Sequence, residues 1–71
     1  MKTYYVTTSI NRRSSVAEDA LAICEQVNRR AGADGISDNR NAVQAIIDEY
    51  ASAEDQALMG LHIDEDDFCD E

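Results

Sequence analysis

The sequence contains no proline, three glycines, two cysteines, one histidine and only six cations among 71 residues. Each scarcity excludes something. Two cysteines cannot build a disulfide ladder, and Cys24 and Cys69 suit a reducing compartment in which both remain thiols. The lone histidine, His62, has no partner of its own kind, and neither cysteine has a histidine beside it on a helical face. No glycine-rich phosphate loop is present. No apolar run approaches the roughly 20 residues that a membrane-spanning helix requires. Residues 1–11 lack the basic-then-apolar pattern of a secretion signal. These absences predict a cytoplasmic, non-enzymatic protein with no cofactor, no metal and no membrane association. So small a domain rarely supplies a substrate cavity.

What the sequence has in excess is acid. Fifteen Asp and Glu face six Lys and Arg, a formal net charge of −9. The imbalance is confined to one half. Residues 1–31 carry a balance of +2, and residues 32–71, with Arg40 as their sole cation, carry −11. Two surfaces with different partners are expected. The acidic half should repel nucleic acid and steer towards basic protein surfaces.

The chain reads as mostly α: a short N-terminal strand and two helices (β-α-α), with 1–60 as one small domain and 61–71 as an acidic tail. Residues 3–10 are rich in β-branched and aromatic types, which favours a strand. Tyr4, Val6, Thr8 and Ile10 would share one face of it, and Tyr5, Thr7, Ser9 and Asn11 the other. No second strand is evident, so pairing with a copy of the chain or with a target is expected. Ser15 and Glu18 form a capping box. It opens a first helix to about Ala31, with Val16, Ala20, Ile23, Cys24, Val27 and Ala31 on one face. Arg29 and Arg30 would occupy its last turn and Gly32 would stop it, with Gly35 permitting a turn. A second helix starts at Ser37 or Asp38 as N-cap. Val43, Ile46, Ile47, Tyr50, Ala57, Leu58 and Leu61 form its apolar stripe, which Glu54 interrupts. It continues to Met59 or bends near Ser52. Residues 61–71 hold six acids among their last eight, a composition that disfavours independent order.

Sharper chemistry fails on ligand arithmetic. Asp64, Asp66 and Asp67 have the start of a calcium-loop spacing, but Phe68 takes the third ligand position and no glycine follows. His62 and Cys69 offer two soft ligands where structural zinc requires four. Cys24 reads as a small core residue. Cys69, among Asp66, Asp67, Asp70 and Glu71, sits in a field that disfavours a thiolate.

The order strand, helix, turn, helix resembles the ribbon-helix-helix family of Arc/Met-repressor type, which includes plasmid and phage antitoxins. The similarity covers roughly residues 3–50. It is carried by Gly35-Ile36-Ser37, Ala42-Val43, Ile46-Ile47 and Glu49-Tyr50. Asn11-Arg12-Arg13-Ser14 stands where that family commonly has a Leu-Pro step. The resemblance implies a homodimer paired through the N-terminal strand. Tyr5, Thr7, Ser9 and Asn11 would then face DNA, with Arg40 at a phosphate held by the second helix's first amides. In size and charge alone, the chain is similar to small acidic phage inhibitors of anti-CRISPR or DNA-mimic type.

Two functions are therefore expected. The first is inhibition of a basic partner (a nuclease, a toxin or a nucleic-acid-guided complex) by covering its nucleic-acid-binding surface. Asp48, Glu49, Glu54, Asp55, Asp64, Glu65, Asp66 and Asp67 would supply the charge. Phe68, with Ile63 and Leu61, would supply apolar anchors. The alternative is a repressor or antitoxin that uses the strand for DNA and the acidic half for a toxin.

Overall fold

The structure, a computed structural model, describes residues 2–67. The chain runs β1 (Lys2–Thr8), α1 (Ala17–Asp34), α2 (Arg40–Tyr50), α3 (Ala53–Leu58) and β2 (Leu61–Asp67). It is a small mixed fold, not a β-α-α arrangement, and the difference lies at residues 61–67. Read in sequence as the start of a tail, they form the second strand that β1 needs. β1 and β2 pair antiparallel, with Val6 opposite Ile63, Thr8 opposite Leu61 and Lys2 opposite Asp67.

Residues directly opposite each other share a face, and the core lies on the face of Val6. Val6, with Cys24, Val27 and Ala31 from α1 and Val43, Ile46 and Ile47 from α2, forms the buried cluster. Tyr4, Leu61 and Ile63 from the sheet, together with Ile23 and Ile36, pack against it. The 3.6-residue spacing of Ala20, Cys24, Val27 and Ala31 is what turns one stripe of α1 inward. Tyr50, expected in the core, remains 38% exposed.

The outer edge of β1 is closed within the chain. Asn28, on α1, accepts a hydrogen bond from the Val6 N–H at 2.7 Å and donates one to the Val6 carbonyl at 3.0 Å. The Ser37 carbonyl accepts from the Tyr4 N–H at 2.7 Å. A primary amide offers both a donor and an acceptor, so one side chain does here what a third strand would do.

Several helix ends differ from their sequence signals. The Ser15–Glu18 capping box does not form: α1 opens at Ala17, behind Val16, with no side-chain cap. Instead, Ser14 closes a turn, its N–H donating to the Asn11 carbonyl at 2.8 Å and its own carbonyl accepting from Ala17. Gly32 does not stop the helix, because the αL residue required at the C-terminus is Gly35, at φ 70°. The Gly35 N–H bonds the Gly32 carbonyl at 3.2 Å and the Ile36 N–H bonds that of Ala31 at 3.0 Å, a Schellman closure with Ile36 as its apolar contact. Arg29 and Arg30 consequently fall before the last turn. Asn39, not Ser37 or Asp38, caps α2, its Oδ1 accepting from the Ala42 N–H at 3.2 Å. The Ser37 carbonyl is engaged with β1. The chain breaks at Ala51, and Ser52 caps α3 through the Asp55 N–H at 3.2 Å. Gly60 then turns the chain into β2 at φ 63°. A Cβ there would lie 2.9 Å from Ser9 Oγ and 3.2 Å from the Ile10 nitrogen, so a side chain would collide with the end of β1.

Two stability measurements check this packing. Ile46→Ala or Ile47→Ala, each removing a buried branched side chain, should cost about 2–5 kcal/mol in urea unfolding. Asn28→Leu, which leaves the Val6 N–H and carbonyl unpaired, should cost about 1–3 kcal/mol for each orphaned group. A wild-type urea midpoint for Asn28→Leu would show that the edge closure is not stabilising.

Candidate functional site

The acidic half of the chain is divided among three elements. On α2, Asp48 accepts from Gln44 Nε2 at 3.1 Å and from Gln56 Nε2 at 2.8 Å. Glu49 meets Arg30 at 2.8 Å, and Arg30 also reaches Asp34 at 3.6 Å. A hydrogen bond with Tyr50 and then the charge of Glu49 hold the Arg30 guanidinium still more firmly protonated. Asp48 and Glu49 are thus tied into contacts that brace α2 against α3 and α1. Glu54 and Asp55 occupy the first turn of α3, where carboxylates complement the positive end of the helix dipole.

The remaining described acids of that half that were singled out in sequence, Asp64, Glu65, Asp66 and Asp67, are consecutive on β2. Strand geometry sends them to alternate faces. Asp64 stands opposite Tyr5 and Asp66 opposite Thr3, on the face turned away from the helices. Glu65 and Asp67 fall on the helix-facing side, Glu65 opposite Tyr4 and Asp67 opposite Lys2. All four are exposed. Lys2 Nζ lies 3.5 Å from Glu65, and His62 Nε2 lies 3.9 Å from Asp64. Both contacts are solvent-exposed and contribute little to stability. Among the described residues, no ion pair is made by Asp66.

Tyr5 and Thr7, singled out as DNA-facing, do lie on the open face of the sheet, but opposite Asp64 and His62. Ser9 is past the end of β1 and its N–H bonds the Gly60 carbonyl at 3.1 Å. Asn11 accepts from the Arg13 N–H at 2.9 Å in a local turn. Arg40 is the first residue of α2 and shares a shallow groove with Tyr4, Ile63, Asp64 and Glu65. That setting places carboxylates, rather than an open phosphate site, beside it. Leu61 and Ile63 are not free anchors, since both pack against the core. Phe68 lies outside the described residues. Leu58, expected on the apolar stripe of the second helix, is instead 65% exposed on α3. The break at Ala51 ends α2 and starts a separate helix, so the stripe does not continue onto the core.

No group of three or more His, Cys, Asp or Glu able to hold a metal occurs among the described residues. No helix among them is long and apolar enough to cross a membrane. Cys24 is buried. Desolvation pushes its thiol pKa up, opposed by a weaker backbone hydrogen bond. In a Cys69→Ser background, Cys24 should react with an aromatic disulfide reagent at pH 8 at least about tenfold more slowly in the folded than in the urea-unfolded chain. Equal rates would show an accessible thiol.

Compared with protein-family models, curated proteins and solved structures, the chain matches none.

Proposed function

We propose that this protein is a non-catalytic acidic inhibitor that covers the nucleic-acid-binding surface of a basic partner, and that β2 is its principal contact element. The observation that carries the reading is the placing of Asp64, Glu65, Asp66 and Asp67 on one strand paired to the body of the fold. A strand advances about 3.3 Å per residue. These residues therefore line both faces of the strand with carboxylates, successive ones on the same face about 6.6 Å apart, a fixed row of negative charge such as a phosphate-binding surface would meet on nucleic acid. A flexible acidic segment would lose conformational entropy on meeting its target, and a strand already held by β1 avoids that cost.

The repressor and antitoxin reading rests on the resemblance to ribbon-helix-helix proteins and on Tyr5 and Thr7 facing outward. Against it, Asp64 stands directly opposite Tyr5 and Asp66 opposite Thr3, which would set carboxylates against DNA phosphates. Pairing of β1 with a copy of itself would also have to displace β2, or Asn28 and Ser37.

The test begins with partners captured from the native host on the immobilised protein. It continues with purified partner, wild-type protein and the variant Asp64→Lys/Glu65→Lys/Asp66→Lys, with folding of the variant checked by circular dichroism. Wild-type protein should compete with nucleic acid for the partner, weaken steeply between low and physiological salt, and lose at least about tenfold in affinity on triple reversal. Equal binding by the variant, or a ternary complex with nucleic acid still bound, would overturn the reading. A promoter-fragment mobility shift at low salt that Thr7→Ala or Arg40→Ala abolishes would instead favour the repressor.

A further inference from the structure

The two outer edges of the sheet are treated differently. In an antiparallel pair, backbone groups point alternately towards the neighbouring strand and away from it. Tyr4 and Val6 direct theirs away from β2, to Ser37 and Asn28. Thr3, Tyr5 and Thr7 are therefore the residues that exchange bonds with Asp66, Asp64 and His62. By the same alternation, Leu61, Ile63 and Glu65 turn their N–H and carbonyl groups to the outer edge of β2. No backbone or side-chain hydrogen bond from the described residues reaches those groups. Among the described residues, one edge is closed with a dedicated asparagine and the other is left open.

We propose that the outer edge of β2 is a docking edge that takes an extended cationic segment of the partner protein as a third strand. The proposal rests on the reading of β2 as the partner-binding element and adds how the partner is held. Main-chain hydrogen bonds to Leu61, Ile63 and Glu65 supply affinity, as in other cases of strand addition. The acidic side chains select the charge of the incoming strand. Asp64 and Asp66, on the open face, meet Lys or Arg of the incoming strand, whose other side lies along Leu61, Ile63 and Glu65. The one cation close to this stretch, besides Lys2 and His62, is Arg40, which lines a groove with Tyr4, Ile63, Asp64 and Glu65. Glu65 already meets Lys2, whereas Asp66 makes no ion pair among the described residues, so the open face with Asp64 and Asp66 is the more favourable for the partner's charges. A second copy of the chain is disfavoured as occupant, because pairing β2 with β2 sets these acids against the same acids of the copy.

The probe is a nine-residue peptide of alternating Lys and Val, used with the full chain. Its analogue is N-methylated along one edge, so that it keeps the charge and loses the strand-forming amides. The protein variants are Glu65→Pro and Glu65→Gln. Both remove the carboxylate and its contact with Lys2, but only proline removes the outward N–H. Proline is tolerated where an edge N–H faces solvent. At low salt the parent peptide should slow amide hydrogen exchange at Leu61, Ile63 and Glu65 by at least about fivefold, and Glu65→Pro should bind it about tenfold more weakly than Glu65→Gln. The N-methylated peptide should bind weakly and leave exchange unchanged. Equal binding by the two peptides without slowed exchange would overturn the docking edge while leaving an electrostatic contact with a basic partner intact. Equal affinities for Glu65→Pro and Glu65→Gln would overturn it as well. Protection of these amides without peptide, in a chain that sediments as a dimer, would overturn it in favour of a second copy. A Glu–Val peptide that binds as well as the Lys–Val peptide would overturn both the edge and the inhibitor reading.

Discussion

Everything in this fold hangs on finding hydrogen-bond partners for a single strand that starts the chain. Each residue of β1 brings a donor and an acceptor that cannot be left unpaired in a packed setting. On one side they are met by β2, more than fifty positions away in sequence. On the other they are met by the Asn28 amide and the Ser37 carbonyl. The second requirement fixes α1 against the sheet. Once Asn28 is held at Val6, Cys24 and Val27 on the neighbouring turns face the same strand and the loop from Gly35 to Asn39 must pass beside Tyr4. Arg30 then ties α1 to α2 through Glu49. A few polar contacts set the geometry, and the burial of Val27, Val43 and Ile47 stabilises it, at about 1.5–3 kcal/mol for each side chain.

The parts of this architecture that are local were legible in the sequence. Ala20, Cys24, Val27 and Ala31, and then Val43, Ile46 and Ile47, recur at helical spacing because their own helices bury them. β1 showed in its Thr, Tyr and Val content. Glu54, falling where an apolar residue belonged, left a continuous helix to Met59 and a bend near Ser52 as alternatives, and the bend is what forms. The helix caps were less legible. Serine, aspartate and asparagine compete for the same role within a few residues, and tertiary contacts decide: Ser37 is drawn to β1, which leaves Asn39 to cap α2.

β2 was hidden for a different reason. Leu61 and Ile63 alternate as a half-buried strand should, but Asp64 to Asp67 follow at once, and composition points to an unstructured tail. What makes the segment a strand is its register with β1, a non-local cause that local patterning does not encode. The same misreading reversed the roles of its residues. Leu61 and Ile63 anchor the strand to its own core rather than to a target, and the carboxylates are set out at regular steps. The charge of the candidate site was readable residue by residue; its rigidity was not.

The pairing of Lys2 with Asp67 carries one more consequence. Because the sheet is antiparallel and made of the outermost described segments, its first and last residues lie side by side at one end of the molecule. A pull applied to either strand at that end opens the ladder one rung at a time instead of shearing all rungs together. The fold is thus mechanically soft when these two strand ends are pulled apart. Whatever thermodynamic margin the core provides, unzipping from this end strips β2, and with it Leu61 and Ile63, before the helices are loaded.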